Sequence, residues 1–122
     1  MPAKYIFDTN IYIGCMLDRD FALQQADQYS THLPATFFSS VVAQELIIGC
    51  TDDLAVRRVQ NFLQPFERVR RIVHSTYEDW KEAGFIAVKI GLKRPDFRSK
   101  KKALINDFLI ALSCRSIGAI LI

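Results

Sequence analysis

Two hydrophobic periods alternate along this chain. Four segments carry apolar residues that favour extended backbone: Lys4–Phe7, Ala35–Ser39, Arg68–His74 and Ala119–Ile122. Between them apolar residues recur at offsets of three and four, as the inner face of an amphipathic helix requires. A short helix is expected after Asp8, carrying Ile11, Ile13 and Met16 or Leu17. A second follows over Phe21–Tyr29, after a break at Asp18–Asp20. Ser40 reads as the N-cap of a helix with Val41, Val42, Leu46, Ile47 and Ile48 on its apolar face, ending near Gly49. Thr51 or Asp52 opens the next helix, lined by Leu54, Val56, Val59, Phe62 and Leu63, and Pro65 is expected to stop it. Ser75 and Glu78 read as a capping box for a helix carrying Trp80, Ala83, Ala87, Ile90 and Gly91. Beyond a polar connector, Lys93–Lys102, the last helix runs from about Leu104 to Ser116 and ends at Gly118.

Strand and helix in alternation predict an α/β fold with a parallel sheet, because parallel neighbours need crossovers long enough to hold a helix. The 122 residues suffice for one domain, 1–122, with its own core. Half of them are hydrophobic and 24% charged, the composition of a soluble globular chain. No apolar run approaches the ~20 residues of a membrane span. Lys4 and Asp8 interrupt any signal-peptide core, so a cytoplasmic protein without a membrane partner is expected. Cys15, Cys50 and Cys114 have no His or Cys at metal-ligand offsets and read as small hydrophobes in a reducing compartment. Phe37, Phe38 and Trp80 read as core. There is no Gly-rich phosphate cradle and no Gly-x-Ser-x-Gly elbow, which argues against NTPases and α/β-hydrolases.

Chemistry in parallel sheets gathers beyond the carboxyl ends of the strands. Asp8 stands there, after Tyr5-Ile6-Phe7. Glu45 lies on the second turn of the helix after the second strand, and Asp107 in the first turn of the helix leading to the fourth. Each has a structural alternative: Asp8 as a helix cap, Glu45 as a surface acid, Asp107 as an acid placed by the helix dipole. Together they form a set of hard oxygen ligands suited to Mg²⁺ or Mn²⁺. Without a cation, clustered carboxylates repel and at least one pKa rises. Charge is also divided along the chain. Residues 1–61 hold four Lys/Arg against seven Asp/Glu, a balance of −3, and residues 62–122 hold twelve against six, a balance of +6. An acidic half beside a basic half suits a site that takes a metal and a polyanion together.

Asp8-Thr9-Asn10 after a hydrophobic strand, the Ser40–Leu46 helix with Glu45, and Asn106-Asp107-x-x-Ile-Ala leading into Gly-Ala-Ile-Leu-Ile resemble a PIN domain over Tyr5–Ile122. Within that family the chain is most similar to the VapC-type toxin ribonucleases of toxin–antitoxin pairs. The resemblance implies a three-layer α/β/α sandwich of strand order 3-2-1-4-5, a Mg²⁺ or Mn²⁺ site and metal-dependent cleavage of RNA. It implies that Asp8, Glu45 and Asp107 are the acidic ligands, that Asn10 supports the first acid, and that Ser40 is the hydroxyl preceding the second. It also implies a small antitoxin partner, whose tail blocks the crevice, and a homodimer. Family members continue into a Thr-x-Asn/Asp-x-x-Asp-Phe segment with a fourth ligand and a fifth strand. This sequence stops at Ile122, so four strands and three acids are expected, with the fourth strand at an edge.

Lys93, Arg94, Arg98, Lys100, Lys101 and Lys102 form a basic run that either neutralises RNA phosphates or is a solvated loop. Arg68, Arg70 and Arg71 are weaker candidates for the same task, and His32 and His74 read as ordinary. The leading expectation is therefore a Mg²⁺/Mn²⁺-dependent endoribonuclease acting as a toxin. A non-catalytic module that binds a partner or RNA, and a nuclease acting on structured DNA, are the alternatives.

Overall fold

The computed structural model of the chain describes residues 3–122, apart from the side chains of Leu17, Lys102 and Ala103. Its strands are β1 (Lys4–Ile6), β2 (Thr36–Ser39), β3 (Ile72–Val73) and β4 (Ala119–Leu121). All pair in parallel, in the order β3-β2-β1-β4. The central β1 aligns Tyr5 with Thr36 on one side and with Ile120 on the other. Helices surround this sheet: α1 (Thr9–Leu17), α2 (Arg19–His32), α3 (Ser40–Ile48), α4 (Asp53–Arg68), α5 (Tyr77–Lys93) and α6 (Lys101–Ile117). The α/β sandwich, its parallel sheet and the order of four strands match the expectation. No described helix is long and apolar enough to cross a membrane.

Aromatic rings fill the core on the α1/α4 side. Tyr12 packs against Phe38 with ring centres 5.0 Å apart and against Phe62 at 5.3 Å, while Phe38 meets Phe66 at 5.2 Å. Rings suit this space because each buries a large area and the tilted arrangements favour their quadrupoles. Phe38 is fully buried; Phe37 is half-buried, with Lys4 and Arg71 over its face.

Several boundaries differ from expectation for identifiable reasons. Ser39, not Ser40, caps α3, its Oγ accepting the Val41 N–H at 3.2 Å. Pro65 does not stop α4, which continues to Arg68. A proline removes one helical hydrogen bond, and buried Leu63 and Phe66 hold that turn against the core in spite of it. The extra turn shortens β3 to two residues, entered through Arg70 in the left-handed region at φ 57°. The capping box of α5 is Thr76 with Asp79, each side chain accepting the other's backbone N–H at 3.1 Å. Asp79 is buried and also accepts from Ser116 on α6, whereas Glu78 faces solvent and pairs with Lys81. Trp80 is 55% exposed rather than core, because small residues, Ala83, Ala87 and Gly91, occupy the inner side of α5. Leu54, Ile47 and Ile48 are likewise exposed. The connector is a 3-10 turn, Pro95–Lys100, and α6 starts at Lys101. Gly118 ends α6 as expected, at φ 67°, where a side chain would be strained.

Candidate functional site

β1 delivers Asp8 to the carboxyl end of the sheet. Phe7 is buried, and Asp8 follows as the N-cap of α1, its Oδ1 accepting the Thr9 N–H at 2.7 Å. The Asp8 backbone N–H donates to the Ile122 carbonyl at 2.8 Å, and the Ile122 N–H donates to Ile6 at 2.9 Å. The main chain of Asp8 is thus tied to the residue that follows β4. Thr9 is buried, and its hydroxyl donates to Glu45 Oε1 at 2.8 Å. Glu45, half-buried on the second turn of α3, is in this way tied to the residue next to Asp8.

α6 lies close on the other side of Asp8. Partial burial and the negative charge of Asp8 hold the Asp107 carboxyl above the usual aspartate range. Burial, and then the same charge, push the Cys114 thiol up to about 11. Positions 107 and 114 are two turns apart on one face of a helix, so Asp8 faces α6 along that stretch. Asp107 is exposed and is the seventh residue of α6. It therefore lies in the second turn, not the first, and beyond the reach of the amino-terminal dipole.

Glu45 is bound to Thr9, beside Asp8, and Asp107 lies near enough to feel the charge of Asp8. The three acids stop short of closure: among the described residues no three His, Cys, Asp or Glu side chains stand close enough together to hold a metal ion. Their chemistry nonetheless fits a hard cation, since they supply oxygen donors only and the repulsion between Asp8 and Asp107 is what a bound cation would relieve. Beside Glu45 a groove of about 460 Å³ opens between α1, α3 and α4, with Ile13, Met16, Leu46, Cys50 and Val59 along it and Arg58 at its edge.

A PIN-domain family model matches residues 5–122. The chain belongs to the PIN-domain family. PIN domains are generally nucleases that act on nucleic acid and usually use divalent metals, so this chain has a nuclease fold. No curated protein matches it.

In this PIN domain the other expected site residues have mixed placements. Asn10 is exposed on α1, and Ser40 is half-buried as the first residue of α3. The hydroxyl that reaches an acid belongs to Thr9, which the sequence reading passed over. Its signal was present: a small hydroxyl residue between an acid and an amide at a strand end. Lys100 is exposed, with its Nζ 5.7 Å from the centre of the Phe97 ring. Lys101 is half-buried and lies against Gly91, where an added Cβ would come within 2.9 Å of its Cε. Arg98 donates to the Gly91 carbonyl at 3.2 Å. Arg98 and Lys101 thus reach back to the end of α5, while Lys93, Arg94 and Lys100 are exposed. The side chain of Lys102 lies outside the described residues. Cys15, Cys50 and Cys114 are unbridged.

Proposed function

We propose that this PIN domain is a metal-dependent endoribonuclease, the toxin of a toxin–antitoxin pair working in the cytoplasm. The observations that support the reading are that Glu45 is tethered through Thr9, the residue beside Asp8, and that the Asp107 carboxyl feels the charge of Asp8. Asp8, Glu45 and Asp107 would hold a Mg²⁺ or Mn²⁺ ion. When bound, such an ion supplies the positive charge that activates a water and offsets the charge developing on a phosphodiester. Asp8, braced by its backbone bonds, would fix the position of the site, and Thr9 holds one Glu45 oxygen. Lys100 and Lys101 would meet backbone phosphates, which supports a polyanionic substrate without specifying its sequence. The apolar groove beside Glu45 supports an antitoxin tail as inhibitor. Pairing of the protein with itself belongs to the same reading.

Cleavage of a labelled single-stranded RNA tests it. Cutting is expected with Mn²⁺, and not with EDTA or in Asp8→Ala. Preference for flapped DNA in competition with the RNA would change the substrate. No cutting by a folded, metal-loaded chain would leave a binding module.

A further inference from the structure

The turn between α5 and α6 presents an aromatic ring among cations. Residues 93–101 hold five Lys/Arg and one acid, Asp96. Phe97 sits in the middle of them, half-buried, with the Arg94 guanidinium 4.6 Å and the Lys100 Nζ 5.7 Å from its ring centre. Among the described residues Phe97 neither joins the buried core nor packs against it, unlike Phe7, Phe38, Phe62 and Phe66. The turn itself is well anchored. The Phe97 N–H donates to the Arg94 carbonyl at 2.9 Å, and Arg98 and the Lys101 stem clasp the turn to Gly91 at the end of α5.

We propose that Phe97 is a stacking platform for a base of single-stranded RNA, with Lys100 taking the adjoining phosphate. The choice of RNA rests on the ribonuclease reading, which the platform extends to how the strand is held. Proteins bind single strands with aromatic faces set in basic surface, the ring taking a base and the cations the backbone. The two cations over Phe97 are unequal. Arg94 is pinned by Asp96, which accepts from its Nε at 3.3 Å and its Nη2 at 3.2 Å. Lys100 stands near the ~6 Å limit of a cation–π contact and enters no ion pair among the described residues. It can swing to a phosphate while a base takes its place on the ring. An acidic peptide would answer the cations but not the ring.

The placement suits the acids. α6 enters β4 through the single residue Gly118, and its Asp107 lies near Asp8 at the carboxyl end of the sheet. From Asp107 six residues lead back to Lys101, so the turn lies at least ~9 Å farther along the α6 axis, away from β4. A stacked strand rises ~3.4 Å per nucleotide, so about three nucleotides separate a base on Phe97 from the acids.

Fluorescence anisotropy of a dye-labelled single-stranded RNA with the full chain in EDTA tests this without cleavage. Phe97→Leu keeps the apolar bulk, removes the flat face and should weaken binding between about five- and a hundredfold. Its log–log salt slope should stay that of the parent, because no phosphate contact is lost. Phe97→Trp should bind at least as tightly as the parent. A strand of the same length lacking bases should bind the parent and Phe97→Leu equally. Circular dichroism and melting should be unchanged in both variants, since Phe97 lies outside the core. Equal affinity of parent and Phe97→Leu for the RNA overturns the platform. So does an equal loss on the strand without bases, which marks a general polyanion site. Cutting with Mn²⁺ whose KM ignores Phe97→Leu would sink the platform and leave the nuclease, and Phe97-dependent binding without cutting would do the reverse. A parent that binds no single-stranded RNA overturns both.

Discussion

Glu45 and Asp107 occupy matching positions, each in the second turn of a helix beside the crevice, yet the protein treats them differently. Glu45 is half-buried and receives a hydrogen bond from a buried threonine. Asp107 is exposed, and its carboxyl is raised by partial burial and by Asp8. One acid is positioned by the fold itself. The other is held in mild conflict with a neighbour, which a cation bound as proposed would relieve. A carboxylate cluster can therefore be half pre-organised, with rigidity on one side and stored repulsion on the other.

The largest expected effect comes from removing the charge both sides share. Asp8→Asn should weaken Mn²⁺ binding, read by calorimetry, by more than the ~10–100-fold typical of losing an outer partner. It should also change the pH dependence of the metal-free protein. Because the folded state raises the Asp107 pKa, it binds that proton more tightly than the unfolded chain does. Stability in the parent should thus fall as pH rises from about 4, the ordinary aspartate value, through the elevated one. In Asp8→Asn that fall should shrink, and denaturant midpoints measured across this window would show it. An unchanged profile would mean that Asp8 is not what Asp107 senses.

A smaller effect isolates the ordered side. Thr9→Val deletes the hydroxyl bound to Glu45 and should cost ~0.5–1.5 kcal/mol in chemical denaturation. Mn²⁺ affinity should drop about tenfold while the Asp107 titration, followed by NMR, stays as in the parent. A shifted Asp107 titration would mean that the two sides are coupled rather than separate. The smallest effect lies at the entrance to the Asp107 helix. Lys100→Ala should flatten the log–log salt dependence of single-stranded RNA binding by about 0.7 if that lysine neutralises one phosphate. Lys101→Ala should do less, because its stem lies against Gly91.

The sequence made the framework legible because strand and helix periods differ so plainly. The four strands, their order, the Gly118 stop and the strand-end position of Asp8 all follow from local pattern plus the resemblance. What was not legible depended on tertiary partners. Ser39 and Ser40 are chemically equal as caps, and only the end of β2 decides between them. Thr76 displaces Ser75 because Asp79 finds Ser116 on a helix far away in sequence. Pro65 looks like a terminator until Phe66 is seen to anchor the turn beyond it. Trp80 looked like core because hydrophobicity alone does not say which side of a helix is used; α5 carries apolar residues on both. At the site, three acids were readable as ligand types. Their unequal support was not, because it comes from Thr9 and from the approach of α6.

The bond from the Asp8 amide to the carbonyl of Ile122 joins residues more than a hundred positions apart in sequence. β1 gains its second neighbour only when residues 119–121 are in place. Loop closure on that scale comes late in folding, after local helices have formed. A ribosome would have to release nearly all of the chain described here before Asp8 could be clamped, so the order of synthesis delays assembly of the crevice. On this topology the nuclease fold would remain unassembled through most of its own translation.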